Sequence, residues 1–517
     1  MNSSFQMSIK TNLCITLMVI WIIGNPGKLF SQDLETEKTF ELSKESNRGS
    51  LLKVDYDASR GTYTLVYSTK QNKKIAKFET FIFDKDFNLI TSDKTELDLK
   101  KAKEKFTWWN YIDEEYTLTG VCIDPKDNLI VRKKNILYVY DWDRFKYKLS
   151  FKTLDKVKLR NDDGDKYYNI KYYEDNIGNA YVLCGIKDKD NKFRQFSDLH
   201  ILKINNDMDV VKDLPVKFEY PQDLNFSQVI TNENDDFRSF MFIFKPHEAG
   251  KKSNPNKTDY TYVSINDKDE LIDRISFNSL SPLWDIDNAI FDDKSDDAYF
   301  YGTTSRGSLQ ILKLSDHKLA YLTETKYSDF TNKFVRPPSQ KKGDPYSGKR
   351  YFISNHKLLN DGSVIISGQN WDKGGMMNAM NKANGGSASV RYTDCFAFCF
   401  NPAGNLVKQY SFYTSGKWLS NDYPNSQYFF SGKTPGNVYW LVVPGQPFVF
   451  KYYPPLISKI DNTKGTIDNF KDINDFSGRK SQYLLDYNFP FIEIEDGKLV
   501  FFGRSGDSIW FARFRLE

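Results

Sequence analysis

Histidine is the scarcest of the residues that do chemistry in this chain: His200, His247, His317 and His356 are the full set. They stand dozens of residues apart, and none meets another His or a Cys at the spacing that holds a metal. Each reads as a surface or packed imidazole. No G-x-S-x-G elbow and no G-x-G-x-x-G turn occurs, which removes the common hydrolase and dinucleotide readings. The nearest approach to a phosphate loop is Gly343 to Arg350 (GDPYSGKR). There Arg350 stands where Ser or Thr must hold Mg²⁺, and neither a strand before nor a helix after is predicted. The S-x-D-x-G-x-x-W box of sialidases is absent. A carboxylate pair for glycoside hydrolysis would come from separate segments, which spacing cannot reveal; most acids here read as turn residues and solvated faces. Asn161 to Asp165 and Asp285 to Asn288 offer oxygen ligands for calcium. Neither fits the D-x-[DN]-x-[DN]-G loop with its distant Glu, so plain turns are expected. No catalytic residue, metal or cofactor is predicted.

Aromatic residues give the one positive sign of binding. Trp108 and Trp109, within FTWWNY, and Trp371, at the entrance of a Gly/Met loop, are candidate platforms for sugars or peptide side chains. The competing reading puts Trp108 and Trp109 on one strand, one ring inside and one out.

The elements that must position such residues repeat along the chain. One signal is a short turn before an alternating apolar strand: Arg60-Gly61 before TYTLVY, Asp127-Asn128 before LIV, Gly178-Asn179 before AYVLCG, Asp235-Asp236 before FRSFMFIF. It continues with Asp296-Asp297 before AYFYG, Asp361-Gly362 before SVIISG, Gly436-Asn437 before VYWLVV and Asp496-Gly497 before KLVFFG. Such residues tolerate positive φ or cap their own backbone, and the period of two that follows marks a strand. The second signal is an apolar residue, a polar turn and a Leu or β-branched pair, as in Phe83 to Ile90, Ile204 to Val211, Ile265 to Ile272 and Phe400 to Val407. Weaker copies lie at Asp141 to Lys148 and Lys313 to Ala320. The two signals alternate, so hairpin follows hairpin, and the spacing suits four short strands per unit.

The expected fold is therefore all-β: a β-propeller of about eight four-stranded blades, seven being possible. The last unit is one strand short, ending in Ser508 to Leu516 (SIWFARFRL). Lys38 to Leu42 (KTFEL) has no place in the first unit and is expected to pair with the last blade and close the ring. A set of β-sandwich modules is the alternative, though no Pro/Ser-rich linker divides the chain. Glu96 to Lys105 is the best short helix candidate. Three loops exceed the repeat's needs: His247 to Lys257, the basic Arg336 to Lys349, and Gln369 to Ser389.

Residues 1–32 read as a signal peptide, with residues 33–517 as one propeller domain. Lys10 supplies the positive region, Leu13 to Ile23 the apolar stretch, and Pro26-Gly27 the break before Ser31. The apolar run is about half of the roughly 20 residues of a membrane span, so no transmembrane segment is expected in the mature chain. The formal charge is +4, and Lys10 and Lys28 belong to the signal. A near-neutral, interleaved surface argues against nucleic acid. Cys395 and Cys399 would lie roughly 13 Å apart on one strand, too far to bond, and read as buried thiols.

The repeated D-G or G-N hairpin followed by an apolar strand resembles β-propeller repeats of the loose NHL kind, over nearly all of the mature chain. The W-D dipeptide of WD40 repeats and the double Gly of kelch repeats are lacking. The Lys/Asn/Tyr/Phe-rich style, with a signal ending near LFSQ, is similar to exported proteins of Bacteroidota. Neither resemblance carries site residues over. With no catalytic motif and with long loops, a non-catalytic binding or scaffolding protein of the cell envelope is expected, in the periplasm or at the cell surface. Its partner would be an envelope protein or a glycan. A carbohydrate-active enzyme or lectin is the alternative.

Overall fold

In the computed structural model the two turn signals are hairpins, and side-chain oxygens explain the second. The structure describes residues 32–71, 75–98, 119–124, 129–141, 146–175, 178–186, 196–231, 237–247, 258–266, 268, 270–292, 295–341, 343–346, 348, 350–373, 390–414, 424–443, 455–472, 484–485, 490–495, 497–505 and 507–516. In four loops the first residue is Asp84, Asn205, Asn266 or Asn401. Each takes the backbone amides two and four residues on, at 2.8 to 3.1 Å. The fourth loop residue then turns left-handed: Phe87 at φ 60°, Met208 at 68° and Gly404 at 75°. An Asx oxygen thus replaces the backbone acceptor that a tight reversal removes.

Strand β1 (Gln32–Glu41) and one helical turn, α1 (Lys44–Asn47), open the chain. A four-stranded antiparallel sheet follows: β2 (Ser50–Asp57), β3 (Thr62–Gln71), β4 (Ile75–Phe83) and β5 (Leu89–Asp98). Next come β6 (Thr119–Asp124), β7 (Leu129–Asp141) and β8 (Lys146–Lys158). A seven-stranded ladder is built from β9 (Tyr167–Glu174), β10 (Ala180–Ile186), β11 (Phe196–Ile204), β12 (Val210–Thr231), β13 (Phe237–Pro246), β14 (Asp259–Asn266) and β15 (Leu271–Asn278). In it, β12 serves two units: its first half pairs with β11 and its second with β13, Gln222 partnering both Phe196 and Pro246.

A four-stranded sheet, β16 (Trp284–Asp292), β17 (Asp297–Thr304), β18 (Leu309–Ser315) and β19 (Lys318–Thr325), leads to α2 (Tyr327–Asn332) and β20 (Phe334–Val335). Strand β20 runs parallel on the outer strand of the next sheet, β21 (Tyr351–Leu358), β22 (Val364–Lys373), β23 (Val390–Phe400) and β24 (Leu406–Phe412). Then come β25 (Ser426–Ser431), β26 (Asn437–Val443) and β27 (Leu456–Asp461), with β28 (Thr466–Ile467) and β29 (Lys471–Asp472) both on β27. The last sheet holds β30 (Leu484–Leu485), β31 (Phe491–Glu495), β32 (Lys498–Ser505) and β33 (Ser508–Leu516). Its free edge receives β1, with Lys38 opposite Phe511 and Phe40 opposite Ile509.

The sheets follow one another like propeller blades, first strand against first strand: β12 touches β16, β16 touches β21 and β21 touches β25. The core is divided accordingly. Most hydrophobic clusters lie between two successive sheets, as where Tyr301 and Ile311 meet Val364 and Phe398, and one lies between the two halves of the seven-stranded ladder, where Leu183 and Ile201 meet Phe242 and Val263. One cluster joins Leu65 and Phe81 of the first sheet to Val500 and Phe511 of the last. Trp284, Trp440 and Trp510 are fully buried in such seams, each worth roughly 1.5–3 kcal/mol of apolar burial.

Four expectations change. Gln369 to Lys373, read as the start of a long loop, continue β22 because they pair with Val390 to Cys395. Asp285 to Asn288, read as a turn, lie on β16, laddered against Gly302 and its neighbours on β17. Glu96 to Asp98 continue β5 instead of starting a helix, because they complete the ladder with Ile75 to Lys77; residues 99–105 lie outside the described set. The loop from Arg336 is folded onto its sheet: Tyr413 donates its amide to Gln340 and Ser339 donates to Asn469. Residues 248–257 and 374–389 of the other long loops lie outside the described residues.

Candidate functional site

The turns between first and second strands, and between third and fourth, fall at one end of each sheet. At that end, between β13–β15 and β16–β19, opens a cavity of about 490 Å³. Two polar tethers cross it. Ser264 and Asp273 are cross-strand partners on β14 and β15, and the Ser264 hydroxyl donates to Asp273 Oδ2 at 3.0 Å. From the opposite sheet, His317 Nδ1 stands 2.9 Å from Asp273 Oδ1. His317 reaches it because Asp316 and His317 form a two-residue turn with φ 49° and 59°, the left-handed pair that a tight hairpin requires. The second tether joins Arg238 of β13 to Asp296, in the turn before β17. The Arg238 guanidinium also lies 5.2 Å from the centre of the Phe291 ring.

The floor is apolar: Met241, Tyr262, Ala298 and Leu314 are buried there. Burial pushes the Tyr262 phenol above its ordinary value, against a Ser264 hydrogen bond that lowers it. A carboxylate only accepts, so His317 Nδ1 carries a proton toward Asp273. The hydroxyl, however, sits on the carboxylate and not on the imidazole. Asp273 is the middle member of this chain of groups, whereas nucleophilic catalysis needs the histidine in the middle. The arrangement can hold a ligand, with acceptors and donors above a greasy floor.

Two further ionisable positions lie on the first strands. Asp287 has solvent-exposed surface on β16, but the surrounding strands crowd it and burial pushes its carboxyl up to about 6; Thr303 hydrogen bonds pull it down and Asp285 pushes it up. His356 Nδ1 stands 2.8 Å from the Tyr301 hydroxyl, and burial holds its imidazole below the usual value. The two calcium candidates dissolve into other roles. Asp285 pairs with Lys245 at 2.6 Å, while Asn161 Oδ1 accepts the Asp165 amide at 2.6 Å in a tight turn. Among the described residues no group of three or more His, Cys, Asp or Glu side chains converges on a metal position.

Trp371 lies on β22, half-buried, with its indole donating to the Tyr351 carbonyl at 3.3 Å. It is not part of the cavity. Trp108 and Trp109 lie outside the described residues. Asp273, Arg238, Phe291 and Asp296 carried no sequence signal as a site, and His317 read as one more surface or packed imidazole. The Asp-His dipeptide within the weak turn Lys313 to Ala320 was the available hint.

No family model matches the chain, and no curated protein matches it. Among solved structures it is similar to the WD40 domain of SCAP from fission yeast, with 8% identity, a TM-score of 0.32, and 94% of this chain and 98% of that one covered. It is also similar to the N-terminal domain of Nup159, with 8% identity, a TM-score of 0.28 and coverage of 94% and 96%. A third likeness is to a Glu150Asp mutant of the Synechocystis apocarotenoid oxygenase, with 9% identity, a TM-score of 0.26 and coverage of 84% and 92%. At these scores nothing about activity or blade number passes from them to this chain.

Proposed function

We propose that the protein is a non-catalytic binding or scaffolding protein of the bacterial cell envelope, exported by residues 1–32 and folded as a closed ring of eight four-stranded blades. Closure is supported by the pairing of β1 with β33 and by the cluster that joins the last sheet to the first. The eighth blade would be β1 with β31 to β33. Export rests on the positive and apolar stretches of the N-terminus.

The observation that carries the binding reading is the order Ser264–Asp273–His317. The side chains at the cavity satisfy one another across two sheets, and among the described residues the Ser264 hydroxyl sits on the carboxylate and not on the imidazole. Ser315, which lines the cavity, offers a way to fill it. Affinity capture from envelope extract, with the protein and its S315W variant, tests the proposal: a partner retained by the first and lost by the second is expected. Identical capture by both would remove the cavity from the account.

A carbohydrate-active enzyme or lectin is the second reading, favoured by Asp273 and Asp296 lining one cavity. A glycan panel scored for both retention and hydrolysis separates it from the first; neither signal above background ends it.

A further inference from the structure

We infer that the cavity between β13–β15 and β16–β19 seats a cationic group on an apolar stem, an alkylammonium or guanidinium, from a free amine or from a lysine or arginine side chain of a partner protein. The inference rests on the binding reading above and adds the class of ligand.

Three features of the cavity lead there. Its described lining carries three carboxylates, Asp273, Asp296 and Asp316, against one guanidinium, Arg238, and one imidazole, His317, so the carboxylates are in excess in either state of the ring. Arg238 is already matched by Asp296, while the donors on Asp273 are a hydroxyl and an imidazole N–H. The Asp273 side chain is 12% exposed, so an incoming cation meets it in a medium that screens poorly, where a pair is stronger than at an open rim. The floor supplies the second feature. Met241, Tyr262, Ala298 and Leu314 present carbon to whatever enters, which suits a methylene stem and not a fully hydrated ion. The third is the precedent in the wall itself: the chain packs its own guanidinium over Phe291 and under a carboxylate. Asp273 lines the same cavity beside that carbon floor. A volume of about 490 Å³ is ample for a lysine or arginine side chain and small for an oligosaccharide.

Calorimetric titration of the purified full-length protein tests this with hexylammonium, hexanol, hexanoate and N-acetyl-lysine methylamide. Hexylammonium and the lysine derivative are expected to bind, hexanol about tenfold more weakly or worse, and hexanoate not at all. Asp273→Asn should weaken hexylammonium by about tenfold, and Asp316→Asn, on the exposed turn, should weaken it less without risk to folding. Tighter binding of the lysine derivative than of hexylammonium assigns the ligand to a protein partner; the reverse assigns it to a free amine. Hexanol binding as tightly as hexylammonium, or an unchanged titration in both Asn variants, overturns the inference. If S315W still abolishes partner capture in that case, the binding reading stands and only the charge class falls. If capture is indifferent to S315W as well, the site itself falls.

Discussion

The indole Nε1 of Trp510 lies 2.9 Å from Glu37 Oε1, joining residues 473 positions apart. Around it, Arg515 pairs with Glu35 at 2.6 Å, and Asn47 donates to Asp507 at 2.5 Å. The Arg504 guanidinium donates to the carbonyls of Asn47 and Gly49. The two ends of the described chain are thus fastened by side chains as well as by the β1–β33 ladder.

Replacing Glu37 with Ala leaves a buried indole N–H without this acceptor, since Trp510 is 1% exposed. A loss of about 1–3 kcal/mol follows from that alone. Urea denaturation should show a lower midpoint at unchanged slope, and a midpoint equal to the parent's would mean that water replaces the carboxylate without cost.

Gly404 combines two constraints. Its φ is +75°, and a Cβ there would stand 2.4 Å from Tyr321 Cε2 and 2.9 Å from Thr323 Oγ1. Gly404→Ala is expected to cost about 3 kcal/mol, from left-handed strain and overpacking together. The same loop position holds Phe87 in the first sheet, because that side chain reaches the neighbouring sheet and stacks on Phe511 at 5.1 Å. Trimming Tyr321 to Ala in the Gly404→Ala background should recover the steric share; a double mutant whose losses simply add would refute the contact.

Asp394 is 5% exposed, and its Oδ1 has no hydrogen-bond partner. Burial pushes its carboxyl up to about 6, backbone amides pull it down and Asp344 pushes it up. The folded form therefore holds its proton where the unfolded chain has lost it. This group's contribution to stability falls as pH rises from about 4 to 6, reaching a penalty of about 3 kcal/mol above that range. Asp394→Asn should match the parent near pH 4 and gain on it up to pH 6.5, then run parallel. Denaturation midpoints across that range decide it; a constant offset at every pH would show that the carboxyl ionises normally in place.

Cys184, Cys395 and Cys399 are buried and unbonded, and burial pushes all three thiols up. In a background with Cys14 and Cys122 changed to Ser, a thiol reagent should find none of the three until denaturant is added. Fast labelling of the folded protein would show that a seam opens, the one around β10 if Cys184 reacts and the one around β23 if Cys395 or Cys399 does.

The turn chemistry was legible because it is local. Asp84, Asn205, Asn266 and Asn401 act on amides within four residues, so the sequence window that shows the motif contains the whole interaction. The KTFEL strand was legible through a count of strands, since one unit lacked a member and one segment lacked a unit. The cavity was not legible. Arg238, Asp273, Asp296 and His317 come from two sheets, and their meeting depends on which turn faces which, a relation no spacing records. The segment from Arg336 read as an excursion because its Pro, Lys and Gly content is that of a solvated loop. What folds it down is the exchange of hydrogen bonds with Tyr413 and Asn469, one of them 130 residues distant.

Strand β12 runs for 22 residues without a break, from the outer edge of one four-stranded unit to the inner edge of the next. Peptide bonds, and not only packed surfaces, therefore carry any load between those two units. Tension applied to one is transmitted along Pro221 and Gln222 to its neighbour, so a pulling experiment should record their rupture as a single event, with no hinge between them to yield first.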